Sequence, residues 1–437
     1  ALNLLEEALR DKDAMVRAVA ERALQRKAAA QGGPLVRPNQ QAQGEPIPLG
    51  PRLRWSPRQL SRRSFGTVAA VVAAACIVVA SLAIALRYVS PPQPPLAQSI
   101  GCASFASSAT DILSQRDGSI GVNDELLIDL YSLKAPASGK SYYGWLLANR
   151  SDLKAAIPLG KLPFHQGKIS YLYKDPTHRN LLLTSSYFLI TEEDTNGTPL
   201  TPTPDRTEWR YSAQISQVPD PSDTQHHYSL FDHIQHLLAK DPTLESIGLS
   251  GGAGFWLTRN TGKVGAHAQS AREFWKSHDA QQVRNQVIGM LDYLDGTLYV
   301  KNDLPPGTPL QAPQAYAHFG LLLVDPQGLL ARTESSLKAI AQSPSASTDQ
   351  KALATRLVAQ VNKINAQYEL VHQDARMLMQ MTDAQLLQPS SLSLVNDMAA
   401  HAAFAFTGNA KIGLEGVTKV FDDIQSLANF DAEAYQH

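Results

Sequence analysis

Residues 65–86 read FGTVAAVVAAACIVVASLAIAL, 22 positions without a charge. A helix of that length rises ~33 Å, enough to cross a ~30 Å hydrocarbon core. A segment apolar on every side is either buried in a core or passes through a bilayer. This one is too long for the apolar part of a signal peptide, and 64 residues precede it. Arg52, Arg54, Arg58, Arg62 and Arg63 lie before it, and only Arg87 follows at once. The positive-inside rule then predicts a single-pass protein of the cell membrane, with a cytoplasmic N-terminus and residues 88–437 extracytoplasmic. A buried Ala-rich core helix is the competing reading, and the one-sided basic flank weighs against it. Gly66, Ala70 and Ala74 form a small-residue row that offers a homodimer contact through this helix. The five arginines also suit anionic lipid headgroups, at ~1 kcal/mol each.

Charge divides the chain at the same place. Residues 1–64 carry 12 Lys/Arg against 6 Asp/Glu, so with a total of −1 the remainder carries −7. The near-zero total argues against a dedicated nucleic-acid binder, and two cysteines rule out a disulfide scaffold or a Cys-rich zinc module. The length of 437 residues implies two or three domains. Residues 28–64 are a basic linker rich in Gln, Gly, Pro and Arg. Residues 87–107 contain SPPQPP and read as a Pro-rich stalk. Cys102 beyond it lacks a convincing lipobox and is an inert thiol or a cross-linking one.

The fold class expected is multidomain α+β: a helical hairpin, one transmembrane helix, an antiparallel β-sandwich at 108–216 and a helical bundle at 217–437. Aromatic and β-branched segments at 125–133, 141–148, 168–174, 181–193 and 208–216 supply the strands, with turn residues between them. Helical periodicity follows at 226–239, 266–277, 279–295, 350–381, 391–406 and 414–428. It is clearest in Leu353, Leu357, Val361, Ile364, Tyr368, Val371, Ala375 and Leu378.

Three resemblances accompany these patterns. Residues 1–27, through the run from Asp11 to Leu24, resemble one HEAT repeat; a lone repeat cannot bury its face, so the expectation is a truncated array. The strand region resembles the extracytoplasmic domain of anti-sigma factors of the anti-sigma-K type. The positions that carry this are Tyr142, Tyr143 and Trp145 in SYYGWLL, Leu159 and Gly160 in IPLGKL, Gly167, and Thr191 and Glu192 in FLITEE. NQVIGMLDYLDG and NDLPPGTPL in the helical tail resemble a bacterial family of single-pass anti-sigma-like proteins. The resemblance implies a signalling or transcription-regulating role, an outer sensor or docking surface, and a cytoplasmic partner such as a sigma factor. Residues 1–64 hold neither Cys nor His, so the zinc-type sigma-binding segment of that family is not among them. The rivals are a membrane-anchored HEAT-repeat scaffold that binds envelope proteins and an ectoenzyme built on Ser250.

No catalytic, cofactor-binding or metal-ligating residue is assigned from the sequence. The candidates weighed are few. Gly248-Leu249-Ser250-Gly251-Gly252 fits the nucleophile-elbow pattern, with Asp279 and His318 in suitable order, but the alternating strand–helix units it needs are missing. It reads more simply as a Gly-rich turn that continues as loop. His226, His227, His233 and His236 with Asp232 form a histidine cluster that could hold Zn or Cu. Asp292, Asp295 and Asp303 offer oxygen ligands for Ca²⁺ without EF-hand spacing. Trp145, Trp209, Trp256 and Trp275 read as core.

Overall fold

The computed structural model describes residues 99–309, 314 and 316–436. The HEAT-like hairpin, the basic linker with Arg52, Arg54, Arg58, Arg62 and Arg63, and the apolar stretch at 65–86 lie outside the described residues.

Eight strands come first: β1 (Gly101–Ala106), β2 (Glu125–Leu130), β3 (Lys140–Leu147), β4 (Ile157–Lys161), β5 (Phe164–His165), β6 (Lys168–Lys174), β7 (Tyr187–Asp194) and β8 (Trp209–Gln214). Helices then follow in order: α1 (Leu230–Leu238), α2 (Pro242–Ser246), α3 (Ala253–Lys276), α4 (Ala280–Asp295), α5 (Leu329–Gln342), α6 (Thr348–Gln380), α7 (Asp383–Leu386) and α8 (Pro389–Thr407). A two-strand ribbon, β9 (Gly408–Asn409) with β10 (Leu414–Glu415), leads to α9 (Val417–Gln425). Two short strands, β11 (Phe430–Asp431) and β12 (Glu433–Ala434), end the described chain.

The strands form two antiparallel five-stranded sheets, ordered β11-β1-β2-β6-β5 and β12-β8-β7-β3-β4. Their outermost strands on one side come from the far end of the chain. Phe430 pairs with Ala103 in the first sheet, and Ala434 pairs with Tyr211 in the second. Between them Ala432 donates to the Gly101 carbonyl and accepts from the Ile100 amide, both at 2.9 Å. This short segment thus covers an open edge of both sheets, where unpaired backbone groups would otherwise face outward. The Phe430 ring lies 5.5 Å from Phe105 and 6.1 Å from Phe188, in the space between the sheets.

The second sheet is apolar on both faces. Tyr142, Leu146, Phe188, Ile190 and Tyr211 point into the main core. Tyr143, Trp145, Leu147, Tyr187, Leu189 and Trp209 form a smaller cluster on the other face, closed by Tyr435. This explains why β3 and β7 read as continuous apolar runs rather than alternating ones. Of the positions that carry the sequence resemblance, all lie in this sheet except Gly167, which turns between β5 and β6 of the first. The Trp145 indole donates to Thr191 Oγ1 at 2.8 Å, and the Tyr142 hydroxyl donates to the Lys134 carbonyl at 2.8 Å. Glu192 is buried and pairs with Arg210. Leu159 packs against the bare Cα of Gly144. Gly160 and Gly167 have φ of +88° and +80°, the left-handed region that favours glycine.

The expected fold class requires correction. Sandwich and bundle are not successive domains, because one continuous core runs from β1 and β2 through the helices to α9, and Ser99–His437 falls within one compact unit. The presumed stalk contains β1, and the presumed bundle supplies β11 and β12. No helix among the described residues is long and apolar enough to cross a membrane. The longest, α3 and α6, have 24 and 33 residues but carry charges along their exposed faces. The single-pass architecture and the membrane localisation are therefore withdrawn.

Replacing Phe430 by Ala removes a side chain that is 1 % exposed and touches both sheets. Its loss is expected to cost about 3–5 kcal/mol, measured by urea denaturation. A cost below ~1 kcal/mol would mean that the terminal strands are not integral to the fold.

Candidate functional site

The histidines flagged in the sequence converge around α1. Ser229 caps this helix, accepting from the Asp232 amide, while Asp232 accepts from the Ser229 amide. Asp232 is therefore a helix cap, not a ligand to the cluster. The preceding loop is built on carboxylates. Asp223 accepts from the amides of Gln225, His226 and Tyr228, and these bonds hold its pKa down at about 2. Asp220 accepts from the amide and hydroxyl of Ser222.

This loop places the Tyr228 ring at the centre of an aromatic cluster. His226 stacks on it at 5.1 Å, and His236 and His233 meet it edge-on at 4.6 and 5.7 Å. His227, with φ of +56°, is exposed and stays outside the group. His233 and His236 lie 6.1 Å apart, centre to centre. Among the described residues, no three His, Cys, Asp or Glu of this group bring ligand atoms close enough for an ion, so the structure does not assemble the Zn or Cu cluster weighed above.

These rings line a cavity of about 540 Å³. Its far wall is α5, with Arg332, Ser335 and Ser336, and its floor is the start of α2. Arg332 Nη1 lies 3.3 Å from Asp241 Oδ2, and the guanidinium sits 5.0 Å above the Phe319 ring. Asp241 in turn accepts from the amides of Thr243 and Leu244 and so starts α2. The volume falls in the range of small-molecule pockets. Burial lowers the pKa of His233, and the neighbouring His236 lowers it further. Burial also lowers the pKa of His236, where Arg332 and Lys240 add to the effect. The carboxylates of Asp220, Asp223, Asp232 and Asp241 oppose these shifts without reversing them. The cavity therefore presents the neutral imidazoles of His233 and His236, aromatic faces and hydroxyls.

What fixes α1 is a set of buried amides. Asn123 and Asn180, from the strand region, both donate to the Leu238 carbonyl, at 2.9 and 2.8 Å. Gln235 donates to the Leu182 carbonyl at 2.7 Å. On its other side the end of α1 crosses the start of α3 where Gly252 has no side chain. A Cβ there would lie 2.3 Å from the Leu237 carbonyl oxygen. Gly251, with φ of +108°, presses on Gly118 in the same way. The G-x-S-x-G pattern is thus a helix-to-helix crossing. Ser250 is exposed, its carbonyl accepts from the Gly118 amide and the Trp256 indole, and α3 begins at once at Ala253 rather than after a loop. No strand precedes it, and Asp279 is the cap of α4.

A second polar group, which the sequence only half revealed, joins three distant elements. His372, in the middle of α6, reaches Asp295 at the end of α4 and Asp303 in the turn that follows. Its Nε2 lies 2.9 Å from Asp295 Oδ1 and 3.0 Å from Asp303 Oδ2. Arg376, one turn further along α6, donates from Nε to Asp303 Oδ1 at 3.0 Å. Burial raises the Asp295 pKa, and the nearby Asp303 adds to this against the pull of His372. Burial opposes charge on His372, but the two carboxylates outweigh it and raise its pKa. Asp292, grouped with Asp295 and Asp303 in the sequence, instead accepts from the Gln314 amide and takes no part. His372 stands 69 residues from Asp303, and no local spacing points to it.

Comparison with protein-family models, curated proteins and solved structures finds no match for this chain.

The close crossing and the buried imidazoles each have a measurable consequence. Gly252→Ala should destabilise the fold by about 1–3 kcal/mol or more through overpacking. Gly265→Ala, in α3 where an added Cβ would meet nothing within 4 Å, should be neutral or gain up to ~1 kcal/mol. Paired thermal melts decide; equal effects would contradict the close crossing. Stability should also depend on pH through the cavity. With folded-state values of His233 and His236 below the ordinary 6.5, the unfolded chain binds more protons in that window. Their contribution is complete above about pH 6.5 and is lost as pH falls towards the lowered values. Double substitution of His233 and His236 by Gln should flatten this part of a stability–pH curve; an unchanged slope would contradict it.

Proposed function

We propose that this chain is a regulatory binding protein of the anti-sigma-like kind, whose folded body senses a small polar ligand and thereby governs association with a protein partner. The observation that carries the reading is the histidine-lined cavity between α1 and α5. Its charged groups are already matched: Arg332 by Asp241, and Asp220 and Asp223 by backbone and hydroxyl donors. What remains at the wall are the neutral imidazoles of His233 and His236, the Tyr228 ring and the Ser335 and Ser336 hydroxyls, groups that recognise by stacking and hydrogen bonding. A ligand with a planar face and hydrogen-bond donors suits them. The strand region supports the regulatory half of the reading through Tyr142, Trp145, Gly160, Thr191 and Glu192, which serve as joints of the second sheet.

Such a device works only if ligand and partner favour different states of the body. The wall formed by α1 is the natural route, because its end is bonded to the strand region through Asn123 and Asn180.

The test is affinity purification of the tagged full chain after cross-linking, with partners identified by mass spectrometry. Recovery of a sigma factor or RNA polymerase, reduced by His236→Ala, is the expected result. Recovery of other proteins with no transcription component would overturn the reading and favour a scaffold.

A further inference from the structure

We propose that Asp295, Asp303 and His372 form a binding site for a divalent transition-metal ion of the zinc class. Among the described residues these three bring one ligand atom each within 4.8 Å of one another. They come from the end of α4, the turn after it and the middle of α6, so the ion would tie three elements together.

Asp295 is 9 % exposed, and its Oδ2 is buried with no hydrogen-bond partner. Oδ1 of the same carboxylate contacts the His372 imidazole at 2.9 Å. A buried carboxylate with one oxygen left without a donor is costly, and a cation bound at Oδ1 would offset the charge that this carboxylate carries. The His372 nitrogen is nearly at coordination spacing from both carboxylates, and all three ligand atoms lie within 4.8 Å of one another. Zinc bonds of ~2.0–2.1 Å in tetrahedral geometry place ligands ~3.3 Å apart. The contacts of His372 with Asp295 and Asp303 are 2.9 and 3.0 Å, so a few tenths of an ångström of widening admits the ion. The ion takes the place of the Nε2 proton, which leaves to solvent. Arg376 binds the other oxygen of Asp303 and turns Oδ2 towards the imidazole, the outer-sphere support that ligating carboxylates receive.

The donor set selects the ion. One imidazole and two carboxylates suit zinc and its neighbours, whereas Ca²⁺ takes six to eight oxygens. Three protein ligands leave a fourth position for water, the arrangement of an exchangeable site rather than a closed structural one.

The full chain, stripped with chelator, is titrated calorimetrically with Zn²⁺ alone, and separately followed by absorption with Co²⁺ alone. The expected result is one ion per chain with micromolar or tighter affinity and the visible spectrum of four-coordinate Co²⁺. Asp303→Asn and His372→Gln should each weaken Zn²⁺ binding at least tenfold while keeping native circular dichroism. His236→Gln, in the separate cavity, should leave it unchanged. If His372→Gln does not fold, Asp303→Asn, whose side chain is partly exposed in the turn after α4, decides. No binding up to about 1 mM, or binding that survives in the folded variants, would overturn the proposal. So would binding lost only with His236→Gln.

Discussion

Two buried asparagine amides meet on one carbonyl, and the arrangement of the molecule depends on them. Asn123 and Asn180 leave the strand region and donate to Leu238 at the end of α1, where the helix has no donor of its own to offer. Asn123 also accepts from Gln425 on α9, so a single side chain links strands, α1 and the last helix. Both asparagines are buried, and losing a partner would strand such a group at a cost of about 1–3 kcal/mol. Gly252 lets the backbone of α3 touch the same turn from the opposite side. Contacts from both sides seat the end of α1, and its remaining face carries His233 and His236 into the cavity.

The two polar sites differ in how they are made. The cavity loop is local: Asp220, Asp223 and Asp232 satisfy amides two to five residues away, and His226, Tyr228, His233 and His236 follow from that path. The group of Asp295, Asp303 and His372 is long-range and depends on the packing of α4 against α6. Long-range construction leaves an Asp295 oxygen without a donor.

These differences explain what was legible in the sequence. The stripe from Leu353 to Leu378 gave α6 almost to the residue, because a 3.6-residue period sustained over roughly seven turns has few alternatives. β2, β3, β6, β8 and most of β7 were legible from their aromatic and β-branched runs between turn residues. β11 and β12 were not, since a two-residue strand has no period and its partners lie some 220–330 residues away. Without them the strands looked like a domain of their own. The Gly-rich run at 248–254 was ambiguous because a nucleophile elbow and a helix crossing ask for the same residues. His226, His233 and His236 were found from sequence, as their spacing is local. His372 was not, since only tertiary packing brings it to Asp295 and Asp303. The apolar stretch at 65–86 dominated the sequence reading, yet it lies outside the described residues and no described helix supports a membrane span.

The central claim is that strands and helices are one cooperative body joined at Leu238. It is tested most directly by unfolding Asn123→Ala and the parent chain in urea. In a background with Trp55, Trp256 and Trp275 replaced by Phe, used for both the parent and the variant, tryptophan fluorescence follows the second sheet through Trp145 and Trp209, and far-ultraviolet circular dichroism follows mainly the helices. The account predicts coincident transitions in the parent, and in the variant a shift of both to lower urea together. Two separated transitions in the parent, or a variant in which only one signal moves, would contradict it.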